Sequence, residues 1–120
     1  MIAGALFGAA GVLLGAFGAH ALADVLDADH QETWDTAVLY QFVHAGALML
    51  TGLLARGQAA TALQVAGVAF GAGIPLFSGS LYLLALDGPG LLGPLTPIGG
   101  VCFVVGWLAL AWSQRAARSS

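Results

Sequence analysis

Long runs without charged residues are the feature that most constrains this sequence. Ile2 to Ala19 contains no Asp, Glu, Lys or Arg. As a helix rising about 1.5 Å per residue and running on to Ala23, it is long enough to cross a hydrocarbon core of about 30 Å. Only 8% of the 120 residues are charged, whereas soluble domains usually carry about 25%. A chain this apolar cannot cover a water-facing surface, so the composition indicates an integral membrane protein.

Polar and turn-forming stretches divide the chain into four apolar segments. Arg56-Gly57-Gln58 separates the second segment from the third, and Asp87-Gly88-Pro89-Gly90 is a strong turn signal after the third. Pro75 is expected to bend the third helix because it removes one backbone donor. The predicted fold is an all-α membrane protein with four transmembrane helices in an antiparallel up-down bundle. We expect a single domain over residues 1–120, with helices at about 2–23, 34–55, 59–86 and 98–112.

The first apolar segment has a second interpretation as a cleaved signal peptide. Ala21-Leu22-Ala23 resembles a small-x-small cleavage site. The basic residues that normally open a signal peptide are missing, however, and the apolar run exceeds the usual length of about 7–15 residues. The sequence therefore favours a retained helix.

The charges of opposite sign are segregated along the chain. With four spans, both chain ends and the loop between helices 2 and 3 fall on one side of the membrane. All three basic residues lie on that side, and all six acidic residues lie on the other: Arg56, Arg115 and Arg118 against Asp24, Asp27, Asp29, Glu32, Asp35 and Asp87. The positive-inside rule predicts that both termini are cytoplasmic. The absence of a basic patch argues against nucleic-acid binding, and the lipid bilayer is the expected partner.

Glycines form a regular seam along the first helix. Gly4, Gly8, Gly11, Gly15 and Gly18 follow one another at spacings typical of a left-handed helix pair. Small residues promote association in lipid because they let two helix backbones approach closely. The seam predicts packing inside the bundle. The alternative is a subunit interface that joins copies of the chain into a homo-oligomer.

The acidic stretch from Asp24 to Asp35, which includes His30, invites a metal-site hypothesis. Its spacing matches neither a calcium loop nor a zinc pattern, so we expect a solvated loop and predict no metal and no cofactor. Part of it, from about Asp29, is expected to form a short interfacial helix. Cys102, Trp107 and Trp112 are expected to pack or to anchor the chain at the interface.

Polar side chains within the apolar segments are the candidate functional residues. An ionisable group inside a bilayer is costly, so His44 in the second helix calls for a partner or a function. Gln41 and His44 share one helix face, and Ser78 and Tyr82 share a face of the third helix. The predicted topology brings these groups together in the outer half of the bundle. The candidate ligand-binding residues are His44, Gln41, Tyr40, Ser78, Ser80, Tyr82 and His20.

Four ordered motifs carry a resemblance to a known family. They are Gly15-Ala-Phe-Gly-Ala-His20, the Trp34 to Ala45 run with Tyr40, Gln41 and His44, Phe77-Ser-Gly-Ser-Leu-Tyr82, and Pro94-x-Thr96-Pro97-Ile-Gly-Gly100. In these motifs the chain resembles the small YgdD-like membrane proteins, a family of unknown function with eukaryotic transmembrane relatives. The resemblance implies a four-span, multi-pass protein, located in bacteria in the cell inner membrane. It implies no activity, substrate or cofactor.

Three kinds of function fit these residues. The first is a non-enzymatic membrane protein whose polar cluster fixes helix packing or partner assembly. The second is binding or transport of a lipid-like or small polar ligand that enters from the outer side through His44. The third is an intramembrane enzyme in which Ser78 or Ser80 pairs with His44. We predict the first and no catalytic residue, because the sequence supplies no nucleophile elbow, no H-E-x-x-H motif and no acid near His44.

Overall fold

Every regular element of the protein is helical. The computed structural model describes the backbone of residues 1–119 and the side chains of residues 1–115, so the side chain of Arg118 lies outside the described part. The helices are α1 (Ile2–His20), α2 (Ala28–Gly57), α3 (Thr61–Ile74), α4 (Ser80–Ala85) and α5 (Leu95–Ser119). A π-helical segment, Pro75–Gly79, joins α3 to α4, and a 3₁₀ turn, Gly90–Leu92, precedes α5.

Four helical segments of the described chain are long and apolar enough to cross a membrane. They cover Ile2–His20, Ala28–Gly57, Thr61–Ala85 and Gly90–Arg115. Large apolar side chains are exposed on each of them, for example Leu13 at 72%, Val68 at 72% and Leu108 at 66%. Such surfaces suit lipid, where every backbone polar group must be satisfied within a helix. The predicted all-α membrane fold is confirmed.

Helix α2 begins at Ala28 and includes, as one continuous helix, the short interfacial helix that was expected from about Asp29. Asp27 occupies the N-cap, and its carboxylate accepts a hydrogen bond from the backbone N–H of His30 at 2.8 Å. This capping bond explains why the helix begins at Ala28 rather than near Trp34. At about 1.5 Å per residue, 30 residues exceed the thickness of the hydrocarbon core. The acidic first turns of α2 therefore extend beyond the apolar part of the span.

The third span is interrupted at the predicted proline. Pro75 begins the π-helical segment, and the α-helical pattern resumes at Ser80. Proline lacks the backbone N–H that would donate the next α-helical hydrogen bond. The turn that it begins is π-helical instead of α-helical. This turn carries Ser78, which is fully buried, toward α2.

Packing differs between the two halves of the molecule. The main core lies between α2, α3 and α5, around Phe70 and Phe103. Helix α1 packs mainly on α2, with Gly4 against Met49, Gly11 against Phe42 and Gly18 against Trp34. Gly15 faces Val38 of α2 in the same way, so the structure packs four of the five seam glycines against α2. Gly8 has no neighbour within 4 Å of a Cβ built on it.

The two ends of the bundle differ in charge. At one end, which we call the acidic end, His30 on α2 lies 3.0 Å from Asp87, which follows α4. At the other end, which we call the arginine end, Thr61 at the start of α3 lines the same cavity as Trp112 of α5, close to Arg115.

Candidate functional site

His44 is bonded through both of its ring nitrogens. It lies near the middle of α2 and is 4% exposed. Nδ1 is 2.8 Å from the carbonyl oxygen of Tyr40, and the indole N–H of Trp107 on α5 donates to Nε2 at 3.1 Å. A carbonyl only accepts a hydrogen bond and an indole N–H only donates. The imidazole must therefore be neutral, with its proton on Nδ1.

Aromatic rings enclose His44. Its ring lies parallel to Phe103, with centroids 3.5 Å apart and an interplanar angle of 8°. Phe70 and Trp107 both have centroids 5.8 Å away, and Trp107 meets the imidazole edge-on. These rings surround the ionisable imidazole of His44 with apolar surface. The surroundings favour the neutral form, because a charge buried among apolar groups loses its solvation.

Gln41 connects three spans. Its amide nitrogen donates to the carbonyl oxygen of Phe7 on α1 at 2.8 Å, and its amide oxygen accepts from the hydroxyl of Tyr82 on α4 at 2.6 Å. Since a carbonyl only accepts, the orientation of the amide group is fixed by its partner. Gln41 is 3% exposed. Both ends of its side chain therefore hold neighbouring helices to α2.

Two serines of the interrupted span make further links. Ser78 donates to the carbonyl oxygen of Ala37 on α2 at 2.8 Å. The hydroxyl of Ser80 lies 2.7 Å from the carbonyl oxygen of Leu76 and 2.6 Å from the hydroxyl of Thr96 on α5. Because Ser80 donates its only proton to a carbonyl, Thr96 is the donor to Ser80. The hydroxyl groups join α4 and the π-helical segment to the spans on either side.

The other two candidates, Tyr40 and His20, occupy different positions. Tyr40 joins the cluster through its backbone carbonyl, while its side chain is 39% exposed and packs at a tilt against Phe77, with centroids 4.6 Å apart. His20 is exposed at the end of α1 and takes part in none of the hydrogen bonds described above. The structure thus brings His44, Gln41, Ser78, Ser80 and Tyr82 into interhelical contact and leaves His20 at the surface.

Two tryptophans belong to the cluster although the sequence predicted only anchoring or packing roles for such residues. The indole N–H of Trp34, 3% exposed, donates to the carbonyl oxygen of Leu14 on α1 at 2.9 Å. Trp107 supplies the donor to His44. Trp107 carries a signal for this role, because it lies well inside an apolar segment. Its side chain is 42% exposed, but an indole N–H at membrane depth has no water to bond and needs an acceptor in the protein.

His30 forms a second polar group at the acidic end, outside the apolar part of α2. Its Nδ1 is 2.7 Å from Asp27 and its Nε2 is 3.0 Å from Asp87. Carboxylates only accept, so both contacts are hydrogen bonds when both ring nitrogens carry protons, which is the imidazolium form. The hydrogen bond and charge of Asp27, followed by Asp87, raise the pKa of His30, and the hydrogen bonds from His30 lower the pKa of Asp27.

The acidic end also bears on the metal hypothesis. Among the residues that the structure describes, no group of three or more His, Cys, Asp or Glu side chains is arranged to hold a metal ion. Asp27 and Asp87 are both bonded to His30, and Asp87 adopts the left-handed conformation, with φ 62°, that commonly ends a helix. Asp27 therefore caps α2, and Asp87 connects the segment after α4 to α2 through His30.

Apolar spanning helices joined by hydrogen bonds between neighbouring spans define a polytopic α-helical membrane protein. The chain belongs to a family described as "Protein of unknown function (DUF423)", whose model matches residues 14–100. The prediction of a family of membrane proteins of unknown function is confirmed. No solved structure matches the chain.

Several bacterial relatives are named membrane proteins. The chain is 44% identical over 110 residues to a "UPF0382 membrane protein" of Staphylococcus epidermidis, covering 92% of this chain and 89% of the relative. It is 39% identical over 111 residues to "UPF0382 membrane protein YwdK" of Bacillus subtilis, covering 92% and 90%. A relative from Haemophilus influenzae, also named "UPF0382 membrane protein", is 39% identical over 109 residues, covering 90% and 86%.

Proposed function

We propose that this protein is a non-enzymatic, multi-pass protein of the cell inner membrane whose polar cluster fixes the packing of its helices. The cluster comprises the side chains of Trp34, Gln41, His44, Ser78, Ser80, Tyr82, Thr96 and Trp107. In this role it holds the helices in one register and leaves their exposed apolar faces available for partner assembly. Both termini are cytoplasmic in this proposal, because the arginine end then faces the cytoplasm.

The observation that carries the proposal is the pair of hydrogen bonds at His44. One ring nitrogen bonds to Tyr40 and the other to Trp107, which leaves no ring nitrogen for a ligand or a proton acceptor. A polar group inside a membrane is costly unless it is satisfied, and hydrogen bonds between helices then give specificity to their packing. A satisfied, neutral histidine at 4% exposure suits this structural role.

The serine contacts support a non-enzymatic role. An activated serine needs a base within hydrogen-bond reach of its hydroxyl. Ser78 and Ser80 instead donate to the backbone carbonyls of Ala37 and Leu76, respectively. The nitrogen atoms of His44 are bonded to other partners.

A double-mutant cycle tests the structural role directly. We would measure the unfolding free energy in detergent of the wild type, His44→Phe, Trp107→Phe and the double variant. We expect a coupling between about 0.6 and 1.7 kcal/mol, the average and upper range for hydrogen bonds between membrane helices. His44→Phe paired with Trp112→Phe is the matched control, because Trp112 lies on the same helix and its ring contacts Arg115, whereas Trp107 bonds to His44. A coupling no larger than the control would contradict the proposal.

A second candidate function is binding of a lipid-like ligand from the outer side. A surface groove of about 310 Å³, lined by Leu39, Tyr40, Val43 and His44, runs along α2. The exposed phenol of Tyr40 is its main polar feature. The test is binding of the fluorescent fatty acid cis-parinaric acid. Leu39→Trp, which fills the groove, is expected to abolish it, and Tyr40→Phe, which removes the exposed hydroxyl, to weaken it. Binding that neither variant changes would exclude this function.

A further inference from the structure

A continuous apolar groove runs between α3 and α5 at the arginine end. Two adjoining cavities of about 390 and 510 Å³ share Thr61, Val65 and Val105 as lining residues. Each volume lies within the range of about 300–1,000 Å³ that is typical of small-molecule sites. The walls are almost entirely hydrocarbon, from the valines to Leu108. A groove of this kind accepts a flexible apolar chain.

The polar and cationic groups of this groove lie toward the arginine end, where Gln64 in the first turn of α3 also lines it. Thr61 is the first residue of α3, and no side chain caps this helix. The ring of Trp112 lines the groove, and the guanidinium carbon of Arg115 lies 5.7 Å from its centroid. This contact keeps a positive charge beside the mouth of the groove. Arg56 also belongs to this end, in the last turn of α2.

We propose that this groove binds an anionic phospholipid, with one acyl chain along Val65 and Val105 and the phosphate beside Arg115 and Thr61. The positive charge of Arg115 beside the groove is the reason for proposing an anionic ligand. Arginine matches the geometry of a phosphate, and basic pockets between transmembrane helices are typical sites for anionic headgroups. The proposal concerns a different face from that of His44 and does not rest on its packing role.

Lipid retention tests the headgroup part of the proposal. The purified full-length protein is incubated with phosphatidylglycerol or phosphatidylcholine of identical acyl chains, and bound lipid is counted by native mass spectrometry. We expect phosphatidylglycerol to be retained preferentially. Arg115→Gln is expected to weaken its binding by about fivefold, as for the loss of one basic contact to an anionic lipid.

The matched control is Arg56→Gln, which removes the same charge from the same end but from α2, whereas Arg115 contacts Trp112, a residue that lines the groove. Arg56→Gln should still retain phosphatidylglycerol in preference to phosphatidylcholine. Equal retention of the two lipids by the wild type, or an unchanged preference in Arg115→Gln, would overturn the proposal.

The acyl-chain part has its own test. Val105→Trp fills the groove and is expected to abolish the retention of phosphatidylglycerol. Val104→Trp adds the same bulk at an exposed neighbouring position that does not line the groove, and should retain the lipid. Inorganic phosphate alone should not raise the Tm of the protein. A rise equal to that produced by phosphatidylglycerol would identify a simple anion site and contradict a lipid groove.

Discussion

The indole ring of Trp34 occupies the space that a Cβ atom on Gly18 would fill. The same indole donates to the carbonyl oxygen of Leu14, so the ring both packs on α1 and bonds to it. Glycine at position 18 is thus what allows this hydrogen bond to form. The relationship fixes the register of α1 on α2 at the acidic end of the bundle.

Gly18→Ala should therefore destabilise the protein. We expect a loss of about 1–3 kcal/mol in unfolding free energy, because the added methyl group must displace a buried ring. Gly8→Ala is the matched control, since a Cβ there meets nothing within 4 Å, and it should be neutral or stabilising by up to about 1 kcal/mol. Unfolding titrations in mixed detergent measure both. Equal effects of the two substitutions would contradict the packing described for the seam.

Tyr82→Phe should remove the hydrogen bond between α4 and α2 while it retains the ring packing. The hydroxyl of Tyr82 donates to Gln41, and its ring lies 4.7 Å from that of Trp34, centroid to centroid. We expect a loss of about 0.6 kcal/mol in unfolding free energy, the average for such bonds in a membrane. Tyr40→Phe should leave stability unchanged, because Tyr40 bonds to His44 through its backbone. A larger effect at Tyr40 than at Tyr82 would show that the partners are wrongly assigned.

The contacts of His30 predict a pH dependence at the acidic end. The pKa of His30 is raised from its ordinary value of 6.5, so its stabilising contribution is complete below that pH and is lost as the pH rises through the raised value. The pKa of Asp27 is lowered from 3.8, so its contribution is present above that pH and is lost as the pH falls through the lowered value. The link should be strongest between about pH 4 and 6.5.

Hydrogen exchange of residues 86–94 measures this dependence. Exchange corrected for the intrinsic pH effect should increase above pH 6.5 in the wild type, as the link to Asp87 weakens. His30→Gln should remove that additional increase, and His20→Gln, at an exposed histidine of α1, should preserve it. A wild type whose corrected exchange is independent of pH would refute the link.

The proposed orientation can be tested by cysteine labelling in intact cells. Gly90→Cys lies beyond the acidic end of α4, and Gly57→Cys ends α2 at the arginine end. In a background that carries Cys102→Ala, a membrane-impermeant maleimide should label the first variant in intact cells. The second should be labelled only after the membrane is opened, because the basic end stays in the cytoplasm. The reverse pattern would place both termini outside.

The membrane class and the helical fold were predictable because length and hydrophobicity decide them. Spacing also placed Gln41 and His44 on one face of α2, and both are buried there. The hydrogen-bond acceptors of the buried polar side chains were harder to predict. Phe7, Leu14 and Ala37 accept hydrogen bonds through backbone carbonyls, which every residue has, and residue type therefore gives no clue to their role. The continuity of α2 from Ala28 to Gly57 was not predicted, because the acidic stretch lacks the apolar periodicity of the span that follows it.

The use of main-chain acceptors affects how this cluster can vary between relatives. A change of side chain at Phe7, Leu14 or Ala37 leaves the accepting carbonyl in place, whereas a change at Gln41, Trp34 or Ser78 removes a donor. The donor residue of each hydrogen bond is therefore constrained in its side chain, whereas the accepting residue is not. Pairwise covariation, which requires both partners to be side chains, is not expected to reveal these contacts, and substitution tolerance at the donor positions alone should trace the helix packing.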